Sequence, residues 1–598
     1  MKRSLFLLAI LLILQTGAFA QKKVILDAMK DELTRSMQEL KLDGEAGPYY
    51  ISYFMQDSCV LRITADFGAV TVDSDNRFRT LNVDLRVGNY SQDNSNFISL
   101  ANVAGLINSA AAANIRIPID DDYDAIRIQI WQATDRVYKN ALETLSRKTA
   151  ALQNTVQTEV LPDFSKEEAI TSLSAENSLD IREEPWRQLV DHLSKLFVNQ
   201  PGIQRSVVDL SVQISNGYYV NSEGTTGIEP YSATRLVVAA ATQADDGMPL
   251  QNYRIYTASQ PDALPEKAKL ENDIKILVSD LLATRDAPVA EEYSGPVLFT
   301  GQAAGELFSQ GFGNLLVTRR TPVSDSAQTN AMIGRFMENP FENKLNMKVA
   351  AKFLSLKATP TLKKYKTKAL LGSYGMDEEG VRSSDVSLIE NGKLKDLLSS
   401  RTPVKGFLKS NGHGRGGSAN PSVMQVISTN KETPQQLKQE LIDAVNDEGL
   451  PFGYIVKGLT PPSDALRDDS DVISSLVASQ QGPPEPTQFR LTKPYSVFRV
   501  YPDGKEELVR GIEFSTISIN AFKDVLATSD EEFVYNYPVS GSSLISSGIG
   551  RIISLLGGGG FSPVNATVIT PAMLLESIDM RKSAGNYPKL PIVSYPAP

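Results

Sequence analysis

Histidine and cysteine are nearly missing from this chain. There are two of the first and one of the second in 598 residues. A single cysteine excludes an intramolecular disulfide and a thiolate metal cluster. The two histidines, His192 and His413, are far apart in sequence, so no helix can present a His-x-x-x-His pair to zinc. No Gly-x-Ser-x-Gly elbow occurs; Gly372-Ser373-Tyr374-Gly375 has the wrong spacing for a serine hydrolase. The glycine-rich run LLGGGGF at 555–561 lacks the Lys and Ser/Thr of a phosphate loop, which leaves a connection or a close backbone approach. Net charge is −10 and no long basic run appears, which argues against nucleic acid as a partner. Beyond the N-terminus there is no second apolar run of membrane-spanning length.

The N-terminus itself is informative. MKRS carries two basic residues, LFLLAILLILQ is apolar, and TGAFA ends in the small-x-small pattern Ala18-Phe19-Ala20. This reads as a secretory signal peptide cut before Gln21. The apolar run is shorter than the roughly 20 residues that span a bilayer, so no stable membrane insertion is expected after cleavage. An exported protein of the periplasm or cell envelope follows.

Apolar residues make up 41% of the chain and charged residues 22%, enough to build ordinary globular cores. The length is too great for one core. Residues 21–42 read as an amphipathic helix, and 49–87 alternate as strands of a small meander, with Cys59 as a half-buried apolar strand residue. Residues 121–160 form a long helical stretch with an acidic start. Strand patterns follow at VVDLSVQISNGYYVNSEGT, SATRLVVAAATQAD and NYRIYTASQ, then a helix over 266–284. Pro502-Asp503-Gly504 makes a hairpin turn within the last region. The fold class is α+β with broad antiparallel sheets. The expected division is a signal peptide at 1–20, an N-terminal α/β domain at 21–120, a middle domain with a long helix and antiparallel strands at 121–288, and a larger β-rich domain at 289–598.

Few residues offer chemistry. His192 lies on a helix, where a lone histidine is structural. His413 and Arg415 lie in NGHGRGG, a flexible loop that can meet a peptide carboxylate or carbonyl, or form a solvated turn. Asp377, Glu378 and Glu379 in GSYGMDEEGV can bind a cation, act as acid and base, or remain solvated. The stretch GQAAGELFSQGFGNLL at 301–316 follows the strand-like GPVLFT and places Ala304, Leu307, Phe308, Phe312, Leu315 and Leu316 near helical spacing. It holds one acid, Glu306, and no histidine.

Several segments together resemble the TldD/PmbA family, also called peptidase family U62 or modulator of DNA gyrase. They are the Asn221-Ser222-Glu223-Gly224 turn, LLGSYGMDEEGVRSSDVSLIENGKLKDLLSSR at 370–401, LKSNGHGRGGSANPSVMQVIST, and the C-terminal TVITPAMLLESIDMRK. The resemblance implies N-terminal and middle α/β parts with a larger β-rich C-terminal domain. It also implies zinc peptidase chemistry on small or unfolded peptides, carried in catalytic members by a His-Glu-x-x-x-His helix. Aligned on Gly301, that motif falls on Phe308, Ser309 and Gly313, and all three functional groups are missing here. The chain is thus similar to the TldE/PmbA type, which binds no zinc itself and pairs with a TldD-like zinc peptidase subunit. Self-association around a shared cavity is the other assembly the resemblance implies. Four residues, Asp377, Glu379, His413 and Arg415, are the expected peptide contacts. Two other functions compete: a stand-alone peptide-binding or scaffold protein of the envelope, and a metal-independent hydrolase using His413 with a nearby serine.

Overall fold

The computed structural model describes residues 24–98, 115–153, 160–461 (apart from 329, 332–333 and 335–337), 466, 485–539, 564–583, 585 and 587. The signal peptide expected at 1–20, the LLGGGGF run and most of the proline-rich tail lie outside the described residues.

Residues up to 258 build one sheet. Helix α1 (Val24–Glu39) turns Ile25, Leu26, Met29 and Leu33 inward. Strands β1 (Pro48–Asp66) and β2 (Ala69–Val87) are 19 residues each and form a single antiparallel hairpin. In place of the small meander expected at 49–87 there is one long hairpin, and the polar stretch around Asp73 to Arg77 continues as exposed strand. Cys59 is buried in β1, and its thiol donates to Asp75 Oδ1 at 3.2 Å. Strand β3 (Ile115–Ile117) edges the sheet beyond β2. Helix α2 (Tyr123–Gln153) covers one face, burying Ile126, Ile130, Ala133 and Tyr138.

After β4 (Thr171–Leu173) and α3 (Glu184–Lys195) come β5 (Arg205–Asn221), β6 (Thr226–Gln243) and β7 (Pro249–Ala258). The order is β3-β2-β1-β5-β6-β4, with β7 also pairing β6. Strand β1 pairs β5 over fourteen positions, so residues 21–120 and 121–288 share one continuous hydrogen-bonded sheet. Helices α3 and α4 (Lys267–Asp286) pack on it through Val190, Leu193, Leu270, Ile274 and Leu277. His192 Nε2 meets Glu271 at 2.7 Å and ties these two helices together.

Residues from 293 onward build a twelve-stranded sheet. Its members include β8 (Tyr293–Phe299), β9 (Leu354–Ala358), β10 (Val386–Glu390), β11 (Val423–Ser428), β12 (Gly453–Leu459), β13 (Pro494–Val500), β14 (Glu506–Val509), β15 (Val525–Val539) and β16 (Val564–Lys582). The main path runs β10-β9-β11-β16-β8-β12-β13-β14, and β15 lies against β16. The sheets are broad and mostly antiparallel, as the sequence leads one to expect, with parallel pairs added here. Strand β11 runs parallel to β16 and β12 parallel to β8. Both crossovers are long, and the one into β12 carries helix α6 (Pro434–Asp447), whose Thr433 and Gln436 form a capping box. The hairpin at Pro502-Asp503-Gly504 forms as read, with Gly504 at φ 83°.

Candidate functional site

Helix α5 (Gln302–Leu307) starts at Gly301, directly after β8, and continues through a π-helical turn (Phe308–Phe312) into a 3₁₀ turn (Gly313–Leu315). Single π-turns are frequent at functional sites. Here the turn is filled with hydrocarbon. Phe308 and Phe312 are both buried with ring centroids 6.1 Å apart, as the i, i+4 spacing predicts. Phe312 meets Phe522 at 4.2 Å and Phe341 at 5.5 Å. A Cβ added at Gly305 would stand 2.5 Å from Tyr535 Cβ, and one at Gly311 2.5 Å from Phe489. One at Gly313 would meet Phe308 at 3.3 Å. Beside Phe308 and Phe312 there remains an apolar void of only about 20 Å³. The donors at 308, 309 and 313 do not fit zinc: a benzyl group, a hydroxyl and no side chain. Among the described residues no three His, Cys, Asp or Glu side chains converge as a metal site.

One polar group lies under this helix. Glu306 is fully buried. Its Oε1 accepts from Gln302 Nε2 at 2.7 Å and its Oε2 from the Leu459 backbone N–H at 2.7 Å; the Tyr535 hydroxyl is 3.5 Å away. Among the described residues no ion pair neutralises it. Burial outweighs the hydrogen bonds and pushes its proton affinity up to about 8, so the group is largely uncharged at neutral pH. Its role was not legible in the local sequence, because what buries it comes from β12 and β15, some 150 and 230 residues downstream.

The other residues singled out from sequence, Asp377, Glu379, His413 and Arg415, do come together. Asp377, His413 and Arg415 are buried and Glu379 is half-buried. Asp377 Oδ1 accepts from the N–H groups of Glu379 and Val381, and Oδ2 from that of Gly414 at 2.8 Å. Glu378 Oε2 accepts from Gly416 N–H at 2.7 Å and Glu379 Oε2 from Arg401 N–H at 2.6 Å. Burial raises the proton affinity of all three acids; for Asp377 the nearby Glu379 adds to it. His413 is fully buried. Its Nδ1 faces Asn411 and its Nε2 lies 3.2 Å from Ser422 Oγ. Burial and then the Arg415 charge depress its pKa to about 3, so the ring is neutral. The histidine and serine of the hydrolase reading are thus in contact, but both have no exposed surface. Arg415 lies 4.3 Å over the Tyr374 ring and donates to the Pro421 and Asn565 carbonyls.

Arg401, which no motif singled out, joins this cluster to the first sheet. Its guanidinium pairs with Glu223 at 2.8 Å, donates to the Ser165 carbonyl and reaches the Tyr50 hydroxyl at 3.1 Å. Phe164 is sandwiched between Arg86 at 3.6 Å and Arg401 at 3.9 Å. Tyr219 donates to the Glu379 carbonyl at 2.9 Å. The Asn221–Gly224 turn supplies Glu223, held by Asn221 Oδ1 accepting from the Glu223 and Thr225 N–H groups. Above Phe164 opens a surface cleft of about 490 Å³ between residues 162–168 and 408–409.

A two-sheet chain with a helix after β8 and a parallel β8–β12 pair has clear relatives. Residues 292–460 match the model of the PmbA/TldA metallopeptidase C-terminal domain. That part of the chain is therefore similar to a metallopeptidase domain. Over 107 residues the chain is 31% identical to a protein named metalloprotease from Methanothermobacter thermautotrophicus, covering 18% of this chain and 22% of that one. The chain thus spans about a fifth of the length of that curated relative. In fold it is similar to a protein described as a modulator of a DNA gyrase from Thermotoga maritima, with TM-score 0.56, 14% identity and coverage of 92% and 99%. TldE from Thermococcus kodakarensis gives TM-score 0.54 and 13% identity over 93% of this chain and 100% of that one. Residues 292–460 are thus similar to the family's C-terminal domain, and the fold as a whole is similar to that of these solved structures.

Proposed function

We propose that this chain is a metal-free, TldE/PmbA-type subunit of an exported zinc peptidase that acts on small or unfolded peptides. A TldD-like partner supplies the histidines, the glutamate and the zinc, and this chain binds no cofactor of its own. One observation carries the reading: Phe308, Phe312, Phe522 and Phe489 fill the ground beside the helix that the catalytic motif would occupy. The frame is kept and the ligands are replaced by packing. The likeness in fold to TldE supports the same assignment. The basic, apolar and small-residue pattern of residues 1–20 supports export to the periplasm or envelope. In this reading the buried 374–415 cluster braces the loops between the two sheets rather than cutting peptides.

The test is elemental analysis of the mature chain, alone and co-expressed with any co-encoded relative. We expect less than about a tenth of a zinc per chain alone and about one per heteromer. One zinc held by this chain alone overturns the reading. A chain that recruits no zinc-bearing partner leaves the stand-alone envelope binding protein in its place.

A further inference from the structure

The cleft over Phe164 has walls from the two sheets' separate territories. One wall is residues 162–168, which lead from α2 to β4. The other is residues 408–409, in the loop after Arg401. The walls are stitched together: Glu167 Oε1 accepts from Ser165 Oγ at 2.6 Å and from the Ser410 N–H at 3.1 Å. The floor is fixed as well. Phe164 is held between two guanidinium groups, and the Ser165 N–H donates to the Arg401 carbonyl while its own carbonyl accepts from the Arg401 guanidinium. The cleft is therefore preformed, which lowers the cost of binding. Its volume falls within the range of small-ligand sites.

The groups at its rim are unspent. Lys166 and Lys409, one from each wall, line the cleft, and neither ammonium makes an ion pair or hydrogen bond among the described residues. The Glu168 carboxylate is likewise unpaired. Leu408 is 54% exposed between them. With the second acid of the lining, Glu167, engaged by Ser165 and Ser410, two cations, one unpaired anion and an apolar surface are complementary to a zwitterion with a side chain.

We propose that this cleft binds a short peptide with free termini. Lys166 and Lys409 take its carboxylate, Glu168 takes its ammonium, and Leu408 receives an apolar side chain. The proposal rests on the peptide-handling reading above and gives it a location on this chain, away from the filled helix. Its charged contacts lie at the surface, so affinity is modest, with Kd of about 0.1–1 mM and a strong salt dependence.

The test uses the mature chain alone, titrated calorimetrically with the tripeptide Ala-Leu-Ala, its C-terminal amide and its N-acetyl form. Saturable binding of the free peptide is expected. Amidation weakens it about tenfold or more. The double variant Lys166→Glu, Lys409→Glu removes it with an unchanged circular dichroism spectrum. Glu168→Gln weakens the free peptide and leaves the N-acetyl form unaffected. No saturable binding by the wild-type chain up to about 10 mM overturns the proposal. So does equal affinity for the amide, or binding that survives the double charge reversal. The outcome separates from that of the zinc test. Peptide binding without any zinc-bearing partner removes the subunit reading and keeps the cleft. A zinc-loaded heteromer in which this chain binds no tripeptide does the reverse.

Discussion

The helix at 302–315 and the loops at 374–415 belong to the same β-rich part of the chain, and both are withdrawn from water. They are closed by opposite means. Around the helix, phenyl rings interlock and a single carboxyl, Glu306, is left with neutral donors. In the loops, carboxylates grip backbone N–H groups, and charged side chains run on into the first sheet. The difference teaches how two regions of one domain can exclude water by unlike chemistry. Apolar packing closes a region at little polar cost, because a ring fills volume and asks for no partner. Buried polar loops cannot be simplified that way. Each carboxylate there satisfies backbone donors that would otherwise be stranded.

The sharpest way to break the comparison is Arg401→Met. It removes the cation from Glu223 and the donors from the Ser165 carbonyl while keeping the bulk. A loss of about 3–5 kcal/mol is expected in urea unfolding, because a buried charge is left without its partner. Next comes Gly305→Ala on the helix side. The new methyl collides with Tyr535, and overpacking costs about 1–3 kcal/mol, read as a lowered Tm. If Gly305→Ala were neutral and Arg401→Met mild, the two regions would differ less than their chemistry suggests.

Glu306→Gln sharpens the contrast through pH. The folded-state pKa of Glu306 is raised to about 8, from an ordinary value of 4.5. The stability it contributes is fully present below about pH 4.5 and is lost as pH rises through about 8. Wild-type stability should therefore fall across that window, and Glu306→Gln should flatten the fall while remaining folded. An unchanged pH profile would show that Glu306 does not titrate there. The smallest effect is expected outside both regions. His192→Ala breaks a half-exposed contact with Glu271, and the loss should stay within about 1 kcal/mol near pH 6.

How much of this was written in the sequence depends on the range over which each feature is encoded. The helix after GPVLFT and its apolar face were legible, because spacing within 16 residues defines them. The strands of the first sheet were legible too, except where polar residues of β2 continue as an exposed hairpin. The parallel pairs in the second sheet were not, since a strand's pattern says nothing about which neighbour it meets. The three acids at 377–379 looked solvated. Their donors at 381, 401, 414 and 416 become visible only once the loops are folded on one another. Arg401 and Glu306 escaped for the same reason.

Strand β16 carries a further consequence. In the main path of the second sheet, β9, β10 and β11 lie on one side of it, and β8, β12, β13 and β14 on the other. Along that path the two groups are joined through β16, which is encoded at residues 564–582, after all the others. During synthesis the earlier strands therefore wait as two separate half-sheets with unpaired edges, and the domain closes only as its last strand is delivered. For a chain made from N- to C-terminus, this makes assembly a late event, exposed to chaperones and to mispairing until the end.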